Sequence, residues 1–223
     1  MGRVLTFFAG TALALAAAAA AIGTRTGPLS LILLDTRSLR LGAMPPGWQV
    51  KVNRGTPDIS VVEGPSGPAV RLKCRKSSFA LERGADIDLE EYPVLTWSWK
   101  VSELPQGGDF RRARTDDQAA QVLVAFSDRR ILSYIWDSSA PKGTMQTSGL
   151  LPLLRVVAVV CRSGSAEANQ WLMETRNLAR DYEAAFGKRQ VRVKGIRLQI
   201  NSQHTGTSAE SYFGEVAFHR SAE

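Results

Sequence analysis

Apolar and polar side chains alternate most regularly in residues 94–101. The face that we predict to be buried carries Leu95, Trp97, Trp99 and Val101. The other face carries Val94, Thr96, Ser98 and Lys100. A period of two residues is typical of a strand with one buried face. The pattern therefore predicts a half-buried strand whose two tryptophans pack into a core.

Short strand-like segments continue along the chain from Leu29 onward. Clusters rich in Gly and Pro, such as residues 44–47 and 64–68, supply turns between them. Many short strands separated by turns are typical of an antiparallel β-sandwich, which is the all-β fold we predict. In addition to 94–101, the predicted strands are residues 29–34, 48–52, 59–62, 69–74, 78–82, 121–126, 131–136, 155–161, 170–174, 193–200 and 211–219.

One short helix is predicted at residues 178–186. Asn177 is a residue type that caps helix N-termini, and Gly187 supplies a C-terminal stop. The residues at helical spacing are Leu178, Tyr182, Ala185 and Phe186. We expect this apolar stripe to pack on one end of the sandwich.

The N-terminal 23 residues combine an early Arg3 with an uncharged, Ala-rich apolar run. Small residues near 18–21 then offer cleavage sites, as in a bacterial export signal. The run over residues 4–22 is also long enough to span a bilayer, so an uncleaved membrane anchor is the alternative. Both predict a body outside the cytoplasm, in the periplasm. Residues 24–223 suit one hydrophobic core and are predicted to form a single domain.

The net charge of +7 raises the question of an anionic partner. The only tight basic cluster is Arg111, Arg112 and Arg114, and it is bracketed by Asp109, Asp116 and Asp117. This spacing favours a self-neutralised, solvated loop. The sequence has no zinc-finger spacing, RNA-binding aromatic signature or basic helical arm, so we predict no nucleic-acid partner.

The two cysteines, Cys74 and Cys161, both occupy apolar positions in predicted strands. In an exported protein they allow one disulfide, but buried free thiols explain the same positions. The sequence has no CxxC motif and no cluster of His and Cys. We therefore predict no metal site and no cofactor.

The aromatic residues are the main argument for a ligand, because sugars stack on aromatic faces while polar side chains orient them. Tyr134 and Trp136 end a predicted strand beside the polar residues 137–139, and Trp171 follows a polar loop. Core packing is the alternative role for these aromatic residues. The predicted ligand-binding residues are Asp117, Tyr134, Trp136, Trp171 and Arg176.

The enzyme alternative needs two carboxyl groups that flank a scissile glycosidic bond. Asp109 and Asp117 are the candidates, with Asp137 and Glu215 as further carboxylates. The structural alternative for Asp117 is a salt bridge to Arg111 or Arg176, or bonds to the backbone amides of its own loop. No Gly-x-Ser-x-Gly motif accompanies the two histidines, which argues against a serine hydrolase.

The order of several short motifs resembles the bacterial exported family called domain of unknown function 3047. These motifs are LTWSWKV at 95–101, LP at 104–105, Asp109, TDDQAAQV at 115–122, YIW at 134–136, RN at 176–177, DY at 181–182, FG at 186–187 and YFGE at 212–215. The resemblance implies an extracytoplasmic β-sandwich of jelly-roll type, similar to galactose-binding and carbohydrate-binding modules. It implies no established activity and no catalytic residue.

One turn departs from this resemblance. Members of the family usually have an Asp-rich turn after the strand that ends near residue 200, whereas this chain has NSQHTG at 201–206. Ca²⁺ prefers several anionic oxygens, so the change weakens any hard-cation site there.

Taken together, the sequence predicts an exported module that binds carbohydrate or another cell-envelope component without catalysis. The alternatives are a polysaccharide hydrolase or lyase with a carboxylate pair, and an envelope scaffold whose sheet edge binds other proteins.

Overall fold

The computed structural model describes residues 28–65, 67–148 and 155–220. The predicted export signal or anchor at residues 1–23 lies outside these ranges. Within them, no helix is both long and apolar enough to cross a membrane.

Thirteen strands and one α-helix form the described part of the chain. The strands are β1 (Ser30–Leu34), β2 (Gln49–Arg54), β3 (Asp58–Gly64), β4 (Gly67–Arg75), β5 (Ser78–Asp88), β6 (Val94–Glu103), β7 (Ala120–Phe126), β8 (Arg130–Asp137), β9 (Met145–Ser148), β10 (Arg155–Ser163), β11 (Leu172–Asn177), β12 (Arg192–Asn201) and β13 (Ser208–His219), and the helix is α1 (Leu178–Phe186). Every predicted strand is present. The sequence pattern missed only β9, a strand of four residues.

The strands form two sheets that pack face to face. The six-stranded sheet has the order β11-β6-β13-β4-β3, with β1 paired to the C-terminal part of β13. The seven-stranded sheet has the order β2-β5-β12-β7-β8-β10-β9. All pairs are antiparallel except β8 with β10, because the chain crosses to the edge strand β9 before it returns as β10. The predicted jelly-roll β-sandwich with one short helix is confirmed.

The core between the sheets contains a cluster of large aromatic rings. Trp97 lies 5.4 Å from Trp99 and 5.1 Å from Tyr134, measured between ring centroids. Trp99 in turn lies 5.9 Å from Trp136. All four side chains are fully buried. The alternating residues of β6 and β8 therefore join the two sheets, as the pattern at 94–101 predicted for Trp97 and Trp99.

The helix α1 closes one end of the sandwich. The Asn177 side chain accepts a hydrogen bond from the Arg180 amide, and Gly187 follows the last turn with φ of 82°. Tyr182 and Phe186 are buried, and the Tyr182 hydroxyl donates to Asp128 at 2.6 Å. The predicted helix, its N-cap and its packing role are all present.

The two cysteines are free and buried. Cys74 lies in β4 of one sheet and Cys161 in β10 of the other. Burial raises the pKa of Cys74 to about 11 and that of Cys161 to about 12. Of the two alternatives drawn from the sequence, the structure has the buried thiols and not the disulfide.

Candidate functional site

The outer face of the seven-stranded sheet carries a groove that runs over β12, β7 and β8. Two adjoining clefts of about 330 and 540 Å³ form it, and both are lined by Leu123. We call this surface the groove. Its neutral polar lining residues include Gln49, Asn53, Ser78, Gln118, Gln121, Ser133, Gln199, Asn201 and Gln203.

Strand alternation explains why these polar residues face outward. Val122 and Val124 of β7 are fully buried in the core. Gln121 and Leu123 alternate with them along the strand and therefore point to the other side of the sheet. Antiparallel pairing then aligns neighbours across strands, because Gln199 lies opposite Gln121 and Ser133 lies opposite Leu123. Polar amides and hydroxyls thus alternate with apolar residues on the groove floor.

Two charged side chains on the floor form an ion pair. Arg197 of β12 lies opposite Glu82 of β5 and opposite Leu123 of β7. The Arg197 guanidinium donates to the Glu82 carboxylate at 2.6 Å. The pair places no net charge at the centre of the groove.

One end of the groove is built around Asp117, which has no solvent exposure. Its carboxylate accepts hydrogen bonds from the backbone amides of His204 (2.9 Å) and Thr205 (2.6 Å). It also accepts from the Thr205 hydroxyl at 2.8 Å and the Asn201 amide at 3.1 Å. Asp117 therefore fastens the turn between β12 and β13 to the segment that enters β7.

His204 stands at this end with one ring nitrogen engaged. Its Nδ1 lies 3.0 Å from the Asp116 carbonyl oxygen and 3.3 Å from the Asp117 carboxylate. Both are acceptors, so Nδ1 carries the proton and Nε2 is left as an acceptor in the neutral ring. Beside it, burial raises the pKa of Asp116, whose carboxylate accepts from Gln118 at 2.7 Å.

Phe110 covers the opposite part of the same sheet face. It packs with Ile135, Ala140, Ala158 and Val160 in a small buried cluster. The Asp137 carboxylate accepts from the Phe110 amide at 3.0 Å and from the Ser139 and Ala140 amides at 2.8 and 2.7 Å. Burial raises the pKa of Asp137. This carboxylate holds the loop over the sheet and bounds the groove.

Two of the predicted ligand-binding aromatics belong to the core. Trp136 has no solvent exposure, and its indole N–H donates to the Gly164 carbonyl at 3.0 Å. Tyr134 is also fully buried and donates to Asp181 at 2.7 Å. The structure thus has the core alternative for both residues, because the two rings lie on the face of β8 that packs against β6.

The predicted charged residues do not meet in one pocket. Asp109 is buried and forms a two-bonded pair with Arg111, whose hydrogen bond lowers the pKa of Asp109. Asp117 pairs with neither Arg111 nor Arg176, and the amides it binds belong to a different loop. Arg176 forms a two-bonded pair with Asp181 at the edge of the sandwich. Both carboxylates are thus bound by protein donors, but Asp117 has other partners than those predicted.

Trp171 is the one predicted aromatic that reaches the surface. It is half-buried and lines a cleft on the outer face of the six-stranded sheet, opposite the groove. Of the predicted residues, the structure brings together only Tyr134 and Arg176 of β11, which both donate to Asp181. Asp109 and Asp117 lie in loops, Trp136 lies in the core, and Trp171 lies on a separate surface.

The sequence reading missed the amide residues of the groove. Gln121 and Gln199 each stand between buried apolar residues of a strand, so alternation marks them as outward-facing. That signal gives the face of a residue but does not show whether the face is open or covered.

No metal centre is visible in residues 28–65, 67–148 and 155–220. These ranges contain no group of three or more His, Cys, Asp or Glu side chains that could hold an ion. The buried carboxylate of Asp117, which lies beside the 201–206 turn, accepts hydrogen bonds from residues of that turn.

Solved structures with a similar arrangement of strands include a family 11 carbohydrate-binding module of a Clostridium thermocellum cellulase, at 8% identity and a TM-score of 0.47, covering 87% of this chain and 96% of that one. Endoglucanase Cel12A of Rhodothermus marinus matches at 9% identity and a TM-score of 0.49, covering 85% and 99%. The xyloglucanase domain of NopAA from Sinorhizobium fredii, solved with cellobiose, matches at 10% and 0.46, covering 80% and 95%. These likenesses specify neither a site nor a ligand.

No curated protein sequence matches the chain. The family model described as protein of unknown function (DUF3047) matches residues 47–217, which include all strands from β2 to β12, the helix and most of β13. The chain therefore belongs to the DUF3047 family.

Proposed function

We propose that the protein is a non-catalytic saccharide-binding module and that the groove is its binding site. The observation that carries this proposal is the row on the outer face formed by the half-buried Gln199 with the buried Gln121 and Ser133, around the half-buried and apolar Leu123. A sugar presents hydroxyls at its edges and C–H groups on its faces. Amides and hydroxyls set among apolar floor residues match both kinds of group.

The free hydrogen-bonding capacity of the groove supports this assignment. Within the described residues, the Gln199 side chain makes no hydrogen bond, although it is only half-buried and faces the cleft. The Gln121 amide donates to Asn201 at 2.7 Å, which leaves its carbonyl oxygen as an acceptor. These groups offer donors and acceptors without net charge, which favours a neutral polyhydroxylated ligand.

The length of the groove favours an oligosaccharide over a single sugar. The Gln199 and Gly195 positions of β12 line different clefts and lie four residues apart. At the rise of a strand this is about 13 Å. An extended ligand fits along this path, with its apolar faces on Leu123 and Ile131.

The arrangement of carboxylates favours binding over glycoside cleavage. Glu82 and Asp116 both line the groove. Glu82 is paired with Arg197, whereas Asp116 lies beside Asn201, which follows Arg197 by four residues in β12. This is a separation of about 13 Å along the strand. Glycosidases hold their two carboxyl groups roughly 5–9.5 Å apart. Asp109 and Asp117, the pair proposed from sequence, are both occupied by protein donors.

We also propose that the domain works outside the cytoplasm, in the periplasm. The apolar N-terminal run behind Arg3 supports this location. Fractionation of cells that express the full chain tests it, and recovery in the cytoplasmic fraction alone would contradict it. The scaffold alternative has no specific observation in its favour.

Affinity electrophoresis tests the proposed function. Native gels that contain soluble β-glucan, xyloglucan or galactan are expected to retard the protein. The Gln199→Ala variant should bind the retarding polysaccharide about three- to tenfold more weakly, as expected for the loss of one or two hydrogen bonds. The matched control is Gln190→Ala, an exposed amide beside Glu90 and away from the groove. Unchanged mobility on all three polysaccharides would contradict the proposal.

A further inference from the structure

The outer face of the six-stranded sheet carries an aromatic surface made of Trp171, Tyr212 and Lys100, which we call the platform. Trp171 precedes β11, and the centroids of its ring and that of Tyr212 are 6.4 Å apart. A cleft of about 390 Å³ opens beside the indole. Its other lining residues include Thr36, Pro68, Ser98, Met173, Gly214 and Glu215.

Two glycines lie against the indole of Trp171. A Cβ atom at Gly64 or Gly214 would lie 3.6 Å from a carbon of the Trp171 ring. At Gly214 it would also overlap the Ser98 hydroxyl, and at Gly64 it would lie 2.8 Å from the Gly67 carbonyl oxygen. Neither glycine has a positive φ, so backbone conformation does not require them. An added Cβ would thus touch the indole at ordinary contact distance, and its close contacts would be with the Ser98 hydroxyl and the Gly67 carbonyl.

The protein supplies its own cation to these rings. The Lys100 ammonium lies 4.0 Å from the centroid of Tyr212 and 5.9 Å from that of Trp171. The attraction of the ring faces for positive charge is therefore met internally. This favours a ligand that stacks neutral C–H groups on the indole.

Two polar groups beside the indole make no hydrogen bond within residues 28–65, 67–148 and 155–220. The exposed Arg37 attracts one of them, Glu215, electrostatically without forming an ion pair with it. The Glu215 carboxylate is half-buried and makes no hydrogen bond or ion pair there, and the Ser98 hydroxyl likewise makes no hydrogen bond. A carboxylate and a hydroxyl at the rim of an aromatic ring suit the hydroxyl groups at the edge of a sugar.

We propose that the platform is a second saccharide-binding site, in which a pyranose ring stacks on Trp171 and donates hydroxyl hydrogen bonds to Glu215. This inference rests on the proposed function, because it assigns the platform the same class of ligand as the groove. The two sites lie on opposite outer faces of the sandwich. One molecule can therefore hold two saccharide chains at once and link them.

Tryptophan fluorescence reports on the platform alone. The chain has five tryptophans, and Trp48, Trp97, Trp99 and Trp136 are buried. Collisional quenching by acrylamide will therefore act mainly on Trp171. Addition of the polysaccharide that retards the protein in gels is expected to protect this emission. The protection should persist in Gln199→Ala, whose change lies in the groove.

Variants of the ring separate stacking from folding. In the Gln199→Ala background, where the groove binds more weakly, Trp171→Ala should lower the affinity for the retarding polysaccharide about tenfold. Trp171→Phe should restore most of this loss, because a smaller ring still stacks. If Phe behaves like Ala while both variants keep the wild-type melting temperature, the stacking role is contradicted.

Light scattering tests the linkage of chains. Wild-type protein is expected to aggregate a soluble polysaccharide, whereas Trp171→Ala and Gln199→Ala should each lose this aggregation. Absence of quenching protection on every polysaccharide would overturn the second site even if Gln199→Ala still weakens binding in the groove. Protection by a tetramethylammonium salt in place of saccharide would also overturn it, in favour of a cation site. If saccharide protects the Trp171 emission while Gln199→Ala leaves the affinity unchanged, the result contradicts binding in the groove and not binding at the platform.

Discussion

The two sheets of the sandwich present different chemistry on their outer faces. The groove of the seven-stranded sheet offers amides and hydroxyls around an apolar floor, and its lining includes no Trp or Tyr among the described residues. The platform of the six-stranded sheet offers the Trp171 ring with few polar groups. Hydrogen bonding should dominate on the first face and stacking on the second. The comparison also shows that aromatic residues are not spread evenly over the two outer faces.

The largest difference is expected between a core tryptophan and the platform tryptophan. Trp136→Ala should lower the free energy of unfolding by about 3–5 kcal/mol, because it leaves a large cavity beside Trp99. Trp171→Ala should cost less than about 1 kcal/mol, since its ring is half-buried at the surface. Denaturant unfolding measures both. Similar losses for the two variants would remove the distinction between core and platform.

A large effect is also expected at the end of the groove. Asp117→Ala should destabilise the protein by about 3 kcal/mol, because the buried amides of His204 and Thr205 lose their acceptor. The control Asp116→Asn removes the charge of a neighbour but keeps its size, and should change stability by less than about 1 kcal/mol. Thermal unfolding checks both variants.

The result at Asp117 also separates structure from catalysis. A catalytic Asp117 would tolerate substitution without loss of stability and would lose activity. An unchanged melting temperature in Asp117→Ala would therefore contradict the role of Asp117 in holding the turn between β12 and β13.

A smaller effect is expected from an added methyl group on each outer face. Gly214→Ala should cost about 1–3 kcal/mol, because the new Cβ overlaps the Ser98 hydroxyl and meets the Trp171 ring. Gly84→Ala, in the groove, meets no atom within 4 Å and should be neutral or stabilising by up to about 1 kcal/mol. Equal effects in denaturant unfolding would contradict the close packing of Gly214 against Ser98.

The smallest effect is expected from a reductant. A disulfide would join Cys74 of the six-stranded sheet to Cys161 of the seven-stranded sheet, but the structure joins these sheets without one, through core packing and contacts such as the Arg162–Glu174 ion pair. Dithiothreitol should therefore leave the melting temperature unchanged.

Alkylation complements that measurement. Because burial raises both thiol pKa values, to about 11 and 12, native protein should resist iodoacetamide at neutral pH and react fully in denaturant. A fall in melting temperature on reduction would show that the sheets are bridged.

The sequence predicts the fold better than the site for a physical reason. Alternation in 94–101 and the Asn177 cap are local signals, and both elements formed as predicted. β9 was missed because four residues carry too little pattern. A site depends instead on which faces remain uncovered, and this is a property of long-range packing. Trp136 and Trp171 look alike in sequence, yet one lies in the core and the other at the surface.

Heteronuclear NMR can show whether the groove binds saccharide. A short oligosaccharide of the polysaccharide that retards the protein would be titrated while the side-chain amide signals of Gln121 and Gln199 are followed. We predict saturable shifts of both signals, along with the backbone amides of Leu123 and Ser133, and no comparable shift for Gln190. Saturable binding that leaves the groove signals unmoved would contradict the account.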